Sequence, residues 1–147
     1  MRAQHLFAAT VVPLLIALAP GVALAQGQTI KPSKNLISGL VDGEELEKLR
    51  PPNGFITTKE DFEKLWKAWL LDENVPEVDF KSDLVVVATS REGPIKEAFL
   101  IDAKETGDMK LKVELERKAK GKGLQVLIVV FPRAGIKTID GKAIADK

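Results

Sequence analysis

The most regular hydrophobic pattern in the chain lies just after residue 57. Large apolar side chains recur there with the three- and four-residue spacing of one helix face, at Phe62, Leu65, Trp66, Trp69 and Leu70. The positions between them are mostly Lys and Glu, so the pattern predicts an amphipathic helix that buries a single stripe. Two pairs place a hydroxyl three residues before a carboxylate, Thr57 with Glu60 and Thr58 with Asp61. Either pair would cap the N-terminus of the helix.

In the second half of the chain the period changes to that of strands. Leu84–Ala88 and Leu124–Phe131 are continuous apolar runs, which are typical of strands buried on both faces. Ile95–Ala103 predicts a further strand. In residues 111–115 apolar side chains alternate with charged ones, as in a strand with one face in water. Asp140-Gly141 between two short apolar runs predicts a small C-terminal hairpin.

The remaining segments complete a fold prediction. Residues 26–34 are polar and contain a proline, which predicts a flexible N-terminal arm. Asn35–Val41 predicts a short strand and Glu44–Leu49 a short helix. Because short connections favour antiparallel neighbours, the four long strands of the second half are predicted to form an antiparallel meander, with the amphipathic helix packed on it. The predicted fold is a single α+β domain over residues 35–147.

Residues 1–25 have the order of features found in a secretory signal peptide. Arg2 provides a positive start, Leu6–Ala19 is apolar, and Ala23-Leu24-Ala25 offers a small-residue cleavage site before Gln26. A membrane anchor is the alternative, but a spanning helix needs about 20 apolar residues. This stretch is shorter and contains a proline. We therefore expect an exported protein, periplasmic or extracellular, that meets the membrane only through this segment before cleavage.

Composition matters because several reactive residue types are missing from the predicted mature chain. The sequence has no Cys and no Tyr, and its one His is His5, inside the signal segment. Cleavage would also remove Arg2 and leave 21 basic and 21 acidic side chains. Such a chain has no group for Ser-His-Asp or Cys-His catalysis, for a thiolate or imidazole zinc site, or for a disulfide. We expect a protein that is not an enzyme and has no cofactor.

Carboxylates are the main acid-base groups that remain. Asp102, Glu105 and Asp108 surround a predicted turn and could offer oxygen ligands to calcium, but their spacing does not match an EF-hand loop. Asp79 and Asp83 could form a hydrolytic pair, but glycosidase chemistry also needs a cleft with sugar contacts. Because Asp is an ordinary turn residue, we favour turn roles for both groups and predict no metal site.

Serines and tryptophans are the other candidates. Ser82, next to a lysine, and Ser90 are conceivable nucleophiles, but neither lies in a Ser-x-x-Lys or Gly-x-Ser-x-Gly motif. Trp66 and Trp69 lie on the apolar stripe, so core packing is favoured over an exposed stacking platform. Trp69, near the end of the stripe, could still reach the rim of a ligand site.

The predicted loops offer the remaining surface. Arg117–Lys122 is rich in basic residues, but it contains no aromatic residue for stacking, so we expect a solvated loop and no nucleic-acid partner. In the predicted meander, residues 90–94 and 118–123 lie at the same end of the sheet. Paired loops on a rigid sheet are a common route to protein binding. The candidate partner contacts are Arg91, Glu92, Pro94, Lys120 and Lys122.

The segments ITTKEDFEKLWKAW, VPEVDF and DLVVVATS follow one another between Ile56 and Ser90. This succession resembles the PrcB-type domain, known from a subunit of a bacterial protease complex and from exported proteins. In that domain an amphipathic helix ending in Leu-Trp precedes a Val-Asp-Phe turn and a strand. Here Leu65-Trp66 and Val78-Asp79-Phe80 occupy those places, and the resemblance covers about residues 54–132. It implies association with a protease or its complex, and no catalytic site.

Three functional hypotheses follow from these observations. The leading one is an exported, non-catalytic protein-interaction module that binds through the loops. Association with a protease, or inhibition of one by a rigid loop, is what the resemblance adds. The alternative is a binding protein for a small ligand, such as a peptide or glycan held against Trp69 and the sheet edge. The third is a hydrolase that uses carboxylates or a Ser-Lys pair, and the absence of His from the predicted mature chain weighs against it.

Overall fold

The computed structural model describes residues 27–69, 74–116 and 123–144 of the chain. The predicted signal peptide, its cleavage site and the basic segment Arg117–Lys122 lie outside the described residues. The helices are α1 (Glu44–Lys48) and α2 (Lys59–Trp69). The strands are β1 (Gln28–Ile30), β2 (Lys34–Val41), β3 (Phe55–Ile56), β4 (Asp83–Ser90), β5 (Ile95–Asp102), β6 (Asp108–Leu115), β7 (Leu124–Pro132), β8 (Thr138–Ile139) and β9 (Lys142–Ala143).

The strands form two sheets, in the orders β2-β7-β4-β3 and β1-β5-β6-β8-β9. All pairs are antiparallel except the short parallel pair β6–β8. The described chain is therefore mostly antiparallel sheet with few helices, and the broad α+β prediction is confirmed. The predicted C-terminal hairpin is also confirmed, as the pair β8–β9.

The predicted meander is wrong. β4 pairs with β7 instead of its neighbour β5, and β5 pairs with β6 in the other sheet. The physical reason lies in burial. β4 and β7 are almost wholly buried and need cover on both faces, whereas β6 alternates between covered and exposed positions. Pairing strands of the same kind places β4 and β7 in a middle layer and leaves β5 and β6 in an outer one.

The sheet that contains β4 is the middle layer of the fold. The even-numbered residues from Leu84 to Ala88 pack in a core that is shared with the second sheet. On the opposite face, Val85 and Val87 pack in a second core with α2. Both faces of this strand are therefore apolar, which explains the continuous apolar run in its sequence.

Helix α2 covers the outer face of this middle sheet. Its Phe62, Leu65 and Trp66 are buried, which at ~1.5–3 kcal/mol for each large side chain amounts to about 5–9 kcal/mol before opposing terms. The backbone N–H of Asp61 donates to the Thr58 hydroxyl at 3.2 Å. That hydroxyl donates in turn to the Asp61 carboxylate at 2.8 Å. Of the two predicted caps, the structure therefore forms Thr58 with Asp61.

The predicted flexible arm is wrong for the part that the structure describes. Gln28–Ile30 pairs antiparallel with β5, and Lys34 begins β2. Ile30 also packs against the core between the sheets. A strand of three residues is too short to show a period, so its sequence gives no signal that distinguishes it from a loop.

No helix in the described part of the chain is both long enough and apolar enough to cross a bilayer.

Candidate binding groove and loop end

A groove of about 420 Å³ lies between α2, the segment that follows α1, and the C-terminal hairpin. Much of its apolar lining comes from Leu49, the residue that follows α1, and from Phe55 and Ile56 of β3. Ala68 of α2 and Ala143 of β9 contribute small side chains that leave room between the walls. Three separate segments of the chain therefore meet at this groove.

The sequence Pro51-Pro52-Asn53-Gly54 builds one wall. The N–H of Gly54 donates to the Pro51 carbonyl at 2.9 Å, which closes a turn. Gly54 has φ 78, a left-handed conformation that glycine adopts without a steric cost. The Lys142 ammonium donates to the Pro52 carbonyl at 2.8 Å, so the C-terminal hairpin holds this turn from the other side. The wall is fixed by local and long-range contacts together.

The polar side of the groove comes from α2. Asp61 and Lys64 are one turn apart on this helix and both line the groove. The Glu60 carboxylate lies 2.9 Å from the Lys64 ammonium and raises the pKa of Lys64, first through a hydrogen bond and then through its charge. Lys64 is therefore protonated at neutral pH. The groove offers an apolar floor next to one acidic and one basic side chain.

The predicted loop contacts lie near the C-terminal part of α1. Arg91 is exposed, and its guanidinium forms an ion pair with the Glu47 carboxylate of α1. The backbone N–H of Glu92 donates to the Ser90 hydroxyl at 3.1 Å. These contacts tie the β4–β5 connection to α1 and to the end of β4.

Pro94 marks where the two predicted loops approach each other. Its carbonyl accepts the N–H of Glu116 at 2.9 Å, at the end of β6. Ser90 lies opposite Gln125 in the register of β4 and β7. The described ends of the two connections are therefore at the same end of the molecule. Lys120 and Lys122 lie outside the described residues.

Asp102 serves a turn. Its carboxylate is buried and accepts backbone N–H groups from Lys104, Thr106 and Gly107, at 3.2, 3.1 and 2.6 Å. Burial alone would raise the pKa of Asp102. Hydrogen bonds from four backbone N–H groups, with Gly107 first and those of Thr106, Lys104 and Glu105 after it, outweigh burial and lower the pKa. Because both carboxylate oxygens already accept hydrogen bonds, the turn role that the sequence favours agrees with the geometry.

The other chemical candidates are also engaged in local structure. The Asp79 carboxylate accepts the N–H of Lys81 at 3.0 Å and the hydroxyl of Ser82 at 3.1 Å. The Ser90 hydroxyl accepts the Glu92 N–H. Within residues 27–69, 74–116 and 123–144, no group of three or more His, Cys, Asp or Glu side chains is arranged to hold a metal ion.

The two tryptophans have different surroundings. Trp69 is half-buried, and its indole N–H donates to the Leu46 carbonyl at 2.9 Å, which joins α2 to α1. A pocket of only about 50 Å³ lies beside it against β2, which is too small for a sugar ring or a peptide. Trp66 is buried, and its indole N–H has no hydrogen-bond partner in the described part of the chain.

The groove itself is not among the sites that the sequence predicts. Leu49, Lys64 and Ala143 belong to no motif, and only the folded chain brings them together. The Pro-Pro-Asn-Gly turn is the one visible signal, and it predicts a bend without indicating what the bend encloses.

Comparisons with known proteins did not identify a relative. No family model, curated protein or solved structure matched the chain. The resemblance to PrcB-type domains therefore stays a prediction.

Proposed function

We propose that this protein is a non-catalytic binding domain that acts outside the cytoplasm and holds a segment of another exported protein. The observation that carries the proposal is the groove between α2, the Leu49–Thr57 segment and Ala143. Its volume of about 420 Å³ falls within the range of roughly 300–1,000 Å³ that is usual for ligand sites.

The chemistry of the groove favours an apolar side chain as the anchor. Leu49 is 50% exposed although it is a large hydrophobic residue, so a partner that covers it would remove apolar surface from water. Asp61 and Lys64 at the α2 side would orient polar groups next to that anchor. An apolar anchor in a pocket with a polar rim is the usual arrangement of a protein-binding hot spot.

The loop end is a second part of the same proposal. Arg91, Glu92 and Pro94 would contact the partner there, together with Lys120 and Lys122. A backbone hydrogen bond from the Glu116 N–H to the Pro94 carbonyl supports a rigid loop, because it ties the loop to the end of β6. A rigid loop lowers the ordering cost of binding. Association with a protease, including inhibition by this loop, rests on the PrcB-type resemblance alone.

A non-catalytic role is supported by the state of the candidate catalytic groups. The carboxylate oxygens of Asp102 and Asp79 accept hydrogen bonds within turns. Ser82 and Ser90 are also hydrogen-bonded within their own turns. A general base must be able to reach the proton that it takes from a substrate. Groups already committed to the backbone are poorly suited to that task.

The test is affinity capture with residues 26–147 from the exported fraction of the source organism, read by mass spectrometry. We expect one enriched exported protein. Leu49→Lys places a charge in the groove and is expected to weaken capture by at least about tenfold, which corresponds to about 1.4 kcal/mol. Thr29→Lys is the control with the same change in charge, because Thr29 is exposed and does not line the groove.

A loop variant separates the two surfaces. Residues 91–94 and 118–122 are replaced together by Gly and Ser. Loss of capture with this variant and normal capture with Leu49→Lys would assign binding to the loops and remove the groove from the proposal. Unchanged capture with both variants would contradict the interaction proposal as a whole.

A small-ligand function is the second candidate, and the volume of the groove favours it. The ligand would be a peptide or glycan that binds beside Leu49 and Lys64. Trp69 is not part of this groove, and its indole N–H is held by Leu46, so we expect little change in tryptophan fluorescence on binding. A ligand pool is therefore best screened by thermal shift. Ligands that stabilise the wild type and not Leu49→Lys would support this candidate.

A further inference from the structure

Strand β2 forms a long edge of the middle sheet. It has eight residues, Lys34–Val41, and among the described strands it pairs only with β7. The other edge strands are much shorter. β3 and β9 have two residues each and β1 has three. Short edge strands are one of the ways in which proteins prevent pairing with other chains, and β2 does not have this protection.

The register of β2 and β7 indicates which backbone groups face outward. The Val130 carbonyl accepts the N–H of Ser33 at 2.8 Å, so Val130 directs its backbone groups toward β2. Alternate residues of β7 do the same, and their partners in β2 are Ile37, Gly39 and Val41. The N–H and C=O groups of Ser38 and Leu40 therefore point away from the sheet, where an added strand would bind.

The sequence of β2 also lacks the charged side chains and the proline that protect many exposed edge strands. Between Lys34 and Asp42 lie seven uncharged residues without a proline. A bulge between Asn35 and Ile37 disturbs the N-terminal end of the strand and leaves residues 37–41 in regular register. Leu40 is 53% exposed in this regular part. An uncharged edge with an exposed leucine is suited to pairing with another strand.

The charges at the two ends of β2 indicate which strand fits. Lys34 lies at the start, and Asp42 and Glu44 follow the end. All three are exposed, and none forms an ion pair within the described residues. An antiparallel second β2 would place the basic end of each strand beside the acidic end of the other. A parallel arrangement would place like charges together, so the edge is complementary to itself in the antiparallel sense.

We propose that two copies of this protein associate through their β2 strands, in antiparallel register centred on Gly39. In this register Ser38 pairs with Leu40 of the second copy and exchanges the outward-facing backbone hydrogen bonds. Lys34 of each copy then lies toward the acidic end of the other copy, where Asp42 and Glu44 follow β2. The two middle sheets then become one continuous sheet across the dimer, with a two-fold axis at Gly39.

A single cysteine tests the register directly, because the chain contains no cysteine. Gly39 lies opposite its own copy as a non-hydrogen-bonded pair, for which the Cα atoms are about 4.5 Å apart. That separation lies within the range of about 4.4–6.8 Å that a disulfide requires. No atom lies within 4 Å of a Cβ added at Gly39, so Gly39→Cys is sterically tolerated. Mild oxidation is expected to give a covalent dimer.

Lys110→Cys is the matched control, since Lys110 is exposed on β6, a strand of the other sheet. We expect it to remain monomeric under the oxidation conditions that cross-link Gly39→Cys. Equal cross-linking of the two variants would overturn the proposed register, because it would show collision without specific pairing.

Sedimentation equilibrium of the unmodified chain tests the association itself. We expect the mass of a dimer, and at least a tenfold weaker dissociation constant for Leu40→Lys. Thr29→Lys makes the same change in charge on a strand of the other sheet and is the control that leaves the dissociation constant unchanged. Lys34→Glu is expected to weaken the dimer and Lys34→Glu with Glu44→Lys to restore it. A monomer mass at all concentrations up to about 1 mM would overturn the proposal. Thermal unfolding of each variant checks that the fold is retained.

Discussion

Asp102 shows how a single carboxylate can hold a turn. Three of its hydrogen bonds come from the backbone of residues 104–107, and Gly107 allows the closest of them. A Cβ at Gly107 would lie 2.5 Å from the Gly135 carbonyl oxygen, and the φ of 85 also favours glycine. The turn therefore depends on an acceptor and on a glycine five residues apart.

Asp102→Asn is expected to lower the free energy of unfolding, because an amide presents one acceptor oxygen where the carboxylate presents two. The folded-state pKa of Asp102 lies below the ordinary value of 3.8. Its contribution to stability is therefore complete above about pH 5 and is lost as the pH falls through the folded-state pKa. Urea unfolding from pH 7 to pH 2 should show the difference between wild type and variant shrinking in acid.

The control for this measurement is Glu105→Gln, an exposed carboxylate in the same turn. It is expected to unfold like the wild type at pH 7. A constant difference between Asp102→Asn and the wild type at every pH would contradict the assigned role of the charge.

The different surroundings of the two tryptophans predict different losses of stability on substitution by Phe. Trp66→Phe removes a buried N–H that has no partner in the described chain, which offsets the loss of packing, so we expect a change within about 1 kcal/mol. Trp69→Phe breaks the hydrogen bond to Leu46 and is expected to cost about 1–2 kcal/mol. Urea unfolding of both variants checks the order, and a larger loss for Trp66→Phe would contradict it.

At the scale of elements, α2 provides a test of how its first turn forms. Thr58→Ala removes the side chain that accepts the Asp61 N–H and is expected to destabilise the protein by about 1 kcal/mol. Thr57→Ala is the matched control and is expected to change the stability by less than about 0.5 kcal/mol. Thermal unfolding distinguishes them. Equal losses would mean that the cap contributes nothing beyond helix propensity.

Periodicity predicts elements better than it predicts their partners. The stripe through Phe62 and Trp66 and the apolar run Leu84–Ala88 each follow from a side-chain pattern within one segment. The pairing of β4 with β7 depends on which strands need cover on both faces, and that is a property of the assembled layers. The groove is even harder to predict from sequence, since Leu49 and Ala143 come together only in the folded chain.

At the scale of the whole molecule, β7 is the common neighbour of β2 and β4. We expect a chain that ends at Glu116 to be unfolded, because the middle sheet would lose its central strand and the cores on both of its faces would open. A chain that ends at Ile144 keeps every described element and is expected to fold. Near-ultraviolet circular dichroism and urea unfolding distinguish the two. A cooperative transition in the shorter chain would contradict the central role of β7.

The position of β7 also sets the order of events during synthesis. β2 is made nearly a hundred residues before its partner, since Lys34 pairs with Val130. The middle sheet consequently lacks its central strand β7 until that strand has left the ribosome. Folding therefore has to wait for almost the whole chain. For the export that we propose, this delay is useful, because a chain that stays extended until it is complete can pass through a narrow translocation channel and fold on the far side.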